Sequence, residues 1–306
     1  MNSRFTITCL RQSEIDRSKW DACISSSGHG IIYALSSYLD QMSRHWDALV
    51  LNDYEAVMPL TWNRKYGIYY LYQPFLTPQL GLFGKNISVS VLNAFMAAIP
   101  KKFRFIEINL NTGNDFDIAD FPVRRHPDYW LNLSRTYKTI SSHYNENLRR
   151  NLKKAALLNC EYREHITIAD VVELARPQLQ RYTKLLKNDI SHFIKLVESL
   201  AKIGAATTAG VFIKNELISG CVLLHSLKKV HYILAANHAK SKVAGASHFL
   251  IDQFFRKHAG EDLLFDFVGS DFPTIAQFYK SFGATPQFYP SVRLNRLPGV
   301  VKWIKK

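Results

Sequence analysis

Three short apolar runs separated by polar turns occur twice in this 306-residue chain, and that duplication constrains the fold more than any other feature. In the first half the runs are Asp47–Leu51, Ala56–Trp62 and Ile68–Tyr72, with turns at Asn52-Asp53 and Arg64-Lys65. In the second half they are Ala209–Ile213, Leu217–His225 and Val230–Ala236, with turns at Lys214-Asn215-Glu216 and Lys228-Lys229. Their β-branched and aromatic content predicts two antiparallel meanders. Pro59 lacks a ladder donor, which predicts an edge or bulge at that point. The elements that follow also correspond. Phe103–Leu110 matches Leu263–Val268, and each run carries one acid, Glu107 or Asp266. Phe121 through Leu133 matches Phe282 through Asn295. Helical periodicity fills the gaps at 89–99, 247–258 and 274–282, and helices over 35–45 and 169–203 precede the two meanders. A repeat of this length is too long for a solenoid. It predicts a mixed α+β chain of two like domains, 1–140 and 141–306, each a twisted, mostly antiparallel sheet with flanking helices.

Charge separates the halves. The chain has 39 Lys+Arg against 25 Asp+Glu, net +14. Residues 1–140 hold 15 basic and 12 acidic side chains, so most of the excess lies after residue 140. Such a balance fits a polyanionic partner: nucleic acid, nucleotide phosphates or an anionic surface. Part of the excess sits in Glu146-Asn147-Leu148-Arg149-Arg150-Asn151-Leu152-Lys153-Lys154-Ala155-Ala156, where Leu148, Leu152, Ala155 and Ala156 form one apolar stripe. This predicts an amphipathic connecting helix over 141–158, with Ser141 or Ser142 as its cap. Its cations form either a solvated face or a phosphate-tracking surface. The tail Leu297–Lys306 is basic around Trp303 and reads as a packed terminal turn or a surface contact.

Several classes are set aside. No apolar run is long enough to cross a bilayer, and the N-terminus lacks a signal-peptide pattern. The four cysteines are scattered without a CxxC pair, so neither a zinc site nor a disulfide framework is expected, and a cytoplasmic location follows. No Walker A, HExxH or GxSxG pattern occurs, and no metal is expected.

The order meander, helix, strand, helix, strand resembles the GNAT N-acetyltransferase fold, and a tandem pair resembles the FemAB-like acyltransferases. Three segments carry the resemblance. Tyr144–Ala155 is similar to that family's "lRrnlkKA" segment. Phe265-Asp-Phe-Val-Gly-Ser270 followed by Ile275–Ala284 is similar to its "fdF.G…i..FK..FG" segment. Tyr72–Gly81 resembles part of the first domain. The resemblance implies an acyltransferase that moves an acyl or aminoacyl group from a phosphate-bearing donor to an amine, by direct attack without a covalent enzyme intermediate. The donor is acyl-CoA in plain GNAT enzymes and aminoacyl-tRNA in FemAB relatives. A cell-wall precursor amine is one acceptor it suggests.

Site residues follow from the same matches. The family's Q/R-x-x-G-x-G/A phosphate loop falls on Lys242-Val-Ala-Gly245-Ala246-Ser247, with Lys and Ser replacing two of its positions. Backbone N–H groups at a helix start favour an anion, so Lys242, Gly245, Ala246 and Ser247 are candidate donor contacts, joined by Arg149, Arg150 and Lys153. The alternative is an ordinary capped helix start. Lys280 is matched to the family's FK lysine and is expected to stabilise charge developing on the acyl carbonyl. Asp266, His231 and Tyr279 are candidate bases for the attacking amine, and Asn237 and His238 could line a cleft. Two other classes compete: a binding module that retained the fold without its chemistry, and a nucleic-acid binder using the basic helix.

Overall fold

The computed structural model describes residues 6–119, 121–182, 187–269 and 271–297, so the basic tail beyond Leu297 lies outside the described residues. The chain packs as two units. One runs through His126 and resumes at Phe288; the other is Pro127–Gln287.

In the first unit, β1 (Ile7–Leu10), α1 (Arg17–Ser26) and α2 (Ser36–Met42) precede the meander β2 (Trp46–Leu51), β3 (Ala56–Lys65) and β4 (Ile68–Leu71). After β5 (Phe83–Gly84) and α3 (Val89–Ala98), β6 (Phe103–Asn109) lies parallel to β4. Pro59 falls between the stretch of β3 that pairs with β5 and the stretch that pairs with β4, where a missing donor costs least. Val91, Leu92, Phe95 and Met96 of α3 pack on Met58, Leu60, Phe103 and Ile106 to make the core.

Strand β7 (Val123–Asn132) leads into the second unit, where α4 (Tyr137–Ser142), α5 (Glu146–Leu157) and β8 (Glu161–Glu164) come first. Helices α6 (Ile168–Tyr182) and α7 (Lys187–Lys202) are described over the stretch expected at 169–203, with 183–186 outside the described residues. The second meander is β9 (Ala206–Ile213), β10 (Glu216–Ser226) and β11 (Lys229–Asn237). Helices α8 (Ala239–Ala244) and α9 (Ala246–His258) then bring the chain to β12 (Leu264–Asp266), parallel to β11. Finally come α10 (Pro273–Lys280) and β13 (Thr285–Asn295). An aromatic core of Phe254, Phe255, Phe265, Phe267 and Phe282 joins α9 to the sheet.

Both units thus share one device: a meander whose third strand pairs in parallel with the strand after the next helix. What differs from a cut at 140/141 is the last strand of each repeat. Residues Trp130–Asn132 of β7 pair with β12, in the second unit. Residues Ser291–Asn295 of β13 pair with β6, in the first. Each sheet is completed by the closing strand of the other repeat, which is why the division falls inside β7 and β13.

The connecting helix also differs from expectation. It is broken at His143–Asn145 into α4 and α5, and α5 is capped by Asn145, whose side chain accepts from the Leu148 N–H at 2.9 Å, instead of by Ser141 or Ser142.

Candidate active site

Strand register builds the site. In the second unit β11 and β12 pair as Lys229↔Leu264, Val230↔Phe265 and His231↔Asp266, while β12 and β7 pair Asp266↔Trp130. Side chains alternate along a strand, so Val230, Phe265 and Leu131 fall on the core face, and Lys229, His231, Asp266, Trp130 and Asp128 share the opposite one. Pairing stops at His231↔Asp266. Strand β11 continues to Asn237, whereas β12 ends. The two parallel strands therefore part just beyond the histidine and the aspartate.

At that fork the polar groups are tightly held. His231 Nδ1 and Asp266 Oδ2 are 2.8 Å apart, and the residues are 0% and 4% exposed. The Val268 N–H donates to Asp266 Oδ1 at 2.7 Å. Asp128 is fully buried and accepts from its neighbours, the Tyr129 N–H at 2.8 Å and the Trp130 indole N–H at 3.0 Å. Asp128 and Asp266 are thus two buried carboxyls on one face of neighbouring strands, an arrangement in which like charge favours keeping one proton. Burial raises the Asp266 carboxyl above its ordinary range, against the opposing pull of Asp128, the Val268 N–H and the Lys229 charge. Burial, and then the Lys229 ammonium, pushes His231 down to about 3, so the imidazole is neutral. Burial lowers Lys229, while Asp266 and Asp128 oppose that shift. The Lys229 ammonium lies 5.1 Å from the centroid of the Trp130 ring. An imidazole pushed that low resists a proton, so within this group the raised Asp266 carboxyl is the candidate base and His231 its hydrogen-bonded partner.

The turn after β12 is strained to make this possible. Val268, a β-branched residue, sits at φ 64°, and Gly269 follows at φ 68°. A Cβ on Gly269 would collide with the Pro127 carbonyl oxygen. That turn aims the Val268 N–H back at Asp266.

Of the residues singled out in sequence, the structure gathers Asp266, His231 and Tyr279. Tyr279 is buried against Phe267 and Tyr129, and burial raises its hydroxyl, helped by the nearby Asp128 and Asp266 charges. Lys280 is not brought to the fork. It is the exposed last residue of α10, its ammonium 5.9 Å from the Tyr129 ring centroid. Counted back from Phe282-Gly283, the lysine of an FK..FG pattern falls on position 279, so Lys280 is one residue, or about 100° of helix, out of phase.

The expected phosphate loop is not a loop. Its first three residues belong to α8, and Gly245, at φ 67°, joins α8 to α9. A Cβ there would collide with the Asn151 carbonyl oxygen of α5 and lie 2.9 Å from its carbon. Gly245 and Ala246 are buried, the Gly245 N–H donates to the Ser241 carbonyl, and Ser247 and His248 at the start of α9 are half-buried. The Ser247 hydroxyl donates to Asn237 Oδ1 at 2.6 Å, where the Ser219 and Ser241 hydroxyls also converge. His238 caps α8 by accepting from the Lys240 N–H. Only Lys242 of this set is exposed.

On α5, Arg149 is committed locally. Its Nε donates to the Tyr144 carbonyl at 3.0 Å and its Nη2 to the Ser141 and Ser142 carbonyls at 3.1 Å, closing the end of α4. Arg150 and Lys153 are exposed. Asp128, Lys229 and Trp130 are the participants that sequence reasoning missed. The alternation Asp128-x-Trp130 and Lys229-x-His231 placed each pair on one face, but nothing local revealed that β7 lies beside β12.

A structure of FemX superposes with TM-score 0.65 at 14% identity, covering 95% of this chain and 99% of that one. The chain has the FemAB-like tandem GNAT fold. L-PGS from Bacillus licheniformis matches with TM-score 0.55 at 12% identity, covering 94% of this chain and 95% of that one. A tandem GNAT protein from the clavulanic acid biosynthesis pathway, determined without AcCoA, matches with TM-score 0.52 at 10% identity, covering 97% and 100%. No protein-family profile matches the chain, and no curated protein matches it in sequence. At these identities the likeness extends to the FemAB-like fold and leaves the chemistry to the residues. Among the described residues no cluster of three His, Cys, Asp or Glu is placed to hold a metal, and no helix is long and apolar enough to cross a membrane.

Proposed function

We propose that this chain is an N-acyltransferase whose donor is an aminoacyl-tRNA and whose acceptor is an amine. The observation that carries the reading is the fork of β11 and β12 with the Asp266–His231 pair at its apex. In the proposed reaction the amine attacks the acyl ester carbonyl directly. The N–C bond forms, the ester C–O bond breaks, the tRNA hydroxyl takes a proton as it leaves, and the ammonium proton passes to the Asp266 carboxylate, whose partner His231 stays neutral. Asp128, Lys229 and Tyr279 are positioning residues that set the charge of that pair. Arg150 and Lys153 are proposed to neutralise donor phosphates. Arg149, whose bonds are spent on α4, and Lys280, which is out of phase, leave the set. The donor choice is supported by the turn at Gly245, which packs against the Asn151 backbone of α5 and whose Gly245 N–H is spent on the Ser241 carbonyl.

The direct experiment incubates the protein with charged tRNA and a panel of amines and follows the labelled aminoacyl group. Asp266→Asn should abolish transfer while leaving salt-sensitive tRNA binding intact. Undiminished transfer by that variant, or acyl-CoA turnover in the absence of tRNA, refutes the assignment. A second reading, a binding module without chemistry, is favoured by one observation: Asp266 and His231 are 4% and 0% exposed. Silence with every donor, alongside retained tRNA binding, would select it.

A further inference from the structure

The hairpin β3–β4 of the first unit carries aromatic and basic side chains in alternation, Trp62-Asn-Arg64-Lys65-Tyr66-Gly-Ile-Tyr69-Tyr70. Its tip, Tyr66-Gly67, has both residues at positive φ, 50° and 79°, the twist a two-residue hairpin turn needs. Asparagine, aspartate or glycine would serve the turn better, yet the chain places a tyrosine there, 88% exposed. The Lys65 ammonium lies 5.3 Å from the centroid of that ring. One residue earlier, Arg64 covers Tyr69 at 5.1 Å, in the register Arg64↔Tyr69. Tyr69 touches Trp62 with ring centroids 5.6 Å apart, and Trp62 stacks on His45 at 4.5 Å with only 19° between planes. The row ends in a cavity of about 510 Å³ lined by Arg11, Arg17, Trp46, Trp62 and Lys102. Arg17 and Lys102 are each tied to a carboxylate there, Asp40 and Asp47. Arg64 and Lys65 make no ion pair among the described residues, so their charge is available.

Here Arg64–Tyr69, Lys65–Tyr66 and Lys102–Trp62 crowd onto one hairpin and its neighbour. An exposed ring flanked by unpaired cations serves a ligand that presents flat apolar faces at regular intervals along an anionic backbone. We propose that this hairpin is a contact for a single-stranded polynucleotide: Tyr66 stacks on an unpaired base, and Arg64 and Lys65 neutralise the flanking phosphates. This surface lies wholly in the first unit and stands on its own observations, so it goes beyond the transferase reading.

The test is fluorescence anisotropy of full-length protein with labelled twelve-nucleotide oligouridine and oligothymidine, across a salt series. Tyr66→Ala should weaken binding about tenfold, whereas Tyr66→Phe, which keeps the ring, should bind as the parent does. Arg64→Ser/Lys65→Ser should lower the slope of log K against log salt by about 1.4, from roughly 0.7 per lost phosphate contact on a single strand. Lys85→Ser, an exposed cation of the same unit outside this row, should change neither quantity. All four changes lie at exposed positions, and matched unfolding midpoints would exclude misfolding. Parent-like binding by Tyr66→Ala and by the double variant overturns the proposal. So does a hairpin effect seen with phosphatidylglycerol vesicles and not with oligonucleotides. A chain inactive in acyl transfer that still binds oligonucleotides through Tyr66 would refute the transferase reading alone.

Discussion

The covered turn at Gly245 can be tested as a matter of stability, separately from any ligand. Two glycines of the second unit sit in the left-handed region with different surroundings. At Gly204, φ 72°, nothing lies within 4 Å of the place an alanine methyl would take, whereas at Gly245, φ 67°, that place is occupied by the Asn151 backbone of α5. Alanine at Gly204 therefore incurs only the left-handed penalty, ~1–2 kcal/mol. Alanine at Gly245 incurs the same penalty plus an overpacking cost of ~1–3 kcal/mol, because the obstacle is backbone and cannot rotate away. In a domain of this size each kcal/mol lowers the midpoint by ~2–4 °C, so Gly204→Ala should lose ~2–8 °C and Gly245→Ala ~4–20 °C. Differential scanning calorimetry of the two variants beside the parent measures the difference directly. Equal losses would mean that α5 does not press on this turn. The start of α9 would then be free to receive a pyrophosphate, and the preference for a tRNA donor would lose its support.

Further outcomes follow from the buried imidazoles and from α5. Burial holds His225 and His248 down to about 4 and His231 to about 3, so the folded chain refuses protons that the unfolded chain accepts below pH 6.5. Their stabilising contribution is complete above 6.5 and is lost as pH falls through that window, ~2 kcal/mol for each histidine between pH 7 and 5. Asp266 works in the opposite sense, since its raised value favours the folded state at low pH and loses that advantage as pH rises. Urea midpoints at pH 7 and 5 would check the balance, with a flat profile as the refuting result. His248 packs against Phe278 and Phe282, and its Nε2 is buried without a hydrogen-bond partner among the described residues. His248→Phe should raise stability by ~1–3 kcal/mol and reduce the pH dependence. Arg149→Ala should cost ~1–2 kcal/mol through the lost carbonyl bonds at the end of α4. Arg150→Ala should leave stability within ~0.5 kcal/mol of the parent and weaken tRNA binding, a contrast read by thermal unfolding and a filter-binding salt series.

What could be read from the chain, and what could not, separates along the distance over which each feature is decided. Both meanders were legible because alternation and turn chemistry are local: Asn52, Lys214 and Asn215 adopt positive φ at the turns where the polar breaks fall. The strand after each meander followed from the repeat, but its parallel pairing with β11 did not. The exchange of closing strands did not, since Trp130 meets Asp266 across 136 positions and no local signal states which sheet β7 will join. The same distance hid the covering of Gly245. Its sequence context permits a phosphate loop, and only the arrival of Asn151, with α8 wound into the preceding residues, removes the space.

Lys280 differs from both, because its placement was decidable within one turn of helix. Phe278, Tyr279 and Phe282 are the apolar members of Phe278-Tyr-Lys-Ser-Phe282, and Phe282 must face the core with Phe255 and Phe267. Position 279, three residues before Phe282, shares that face, while position 280 lies ~100° round the helix. A lysine at 280 is therefore exposed at the end of α10, its ammonium over the Tyr129 ring. The side chain at 279 is a phenol packed on Tyr129 and Phe267, its hydroxyl held protonated by burial and by the nearby Asp128 and Asp266 charges. Tyr279→Phe, which keeps the ring packed against Phe267 and removes the hydroxyl, isolates that contribution. If the phenol sets the protonation of the carboxyl pair, the variant should shift the acidic limb of the transfer pH profile while its unfolding midpoint stays within ~2 °C of the parent. An unchanged profile would reduce Tyr279 to a core residue.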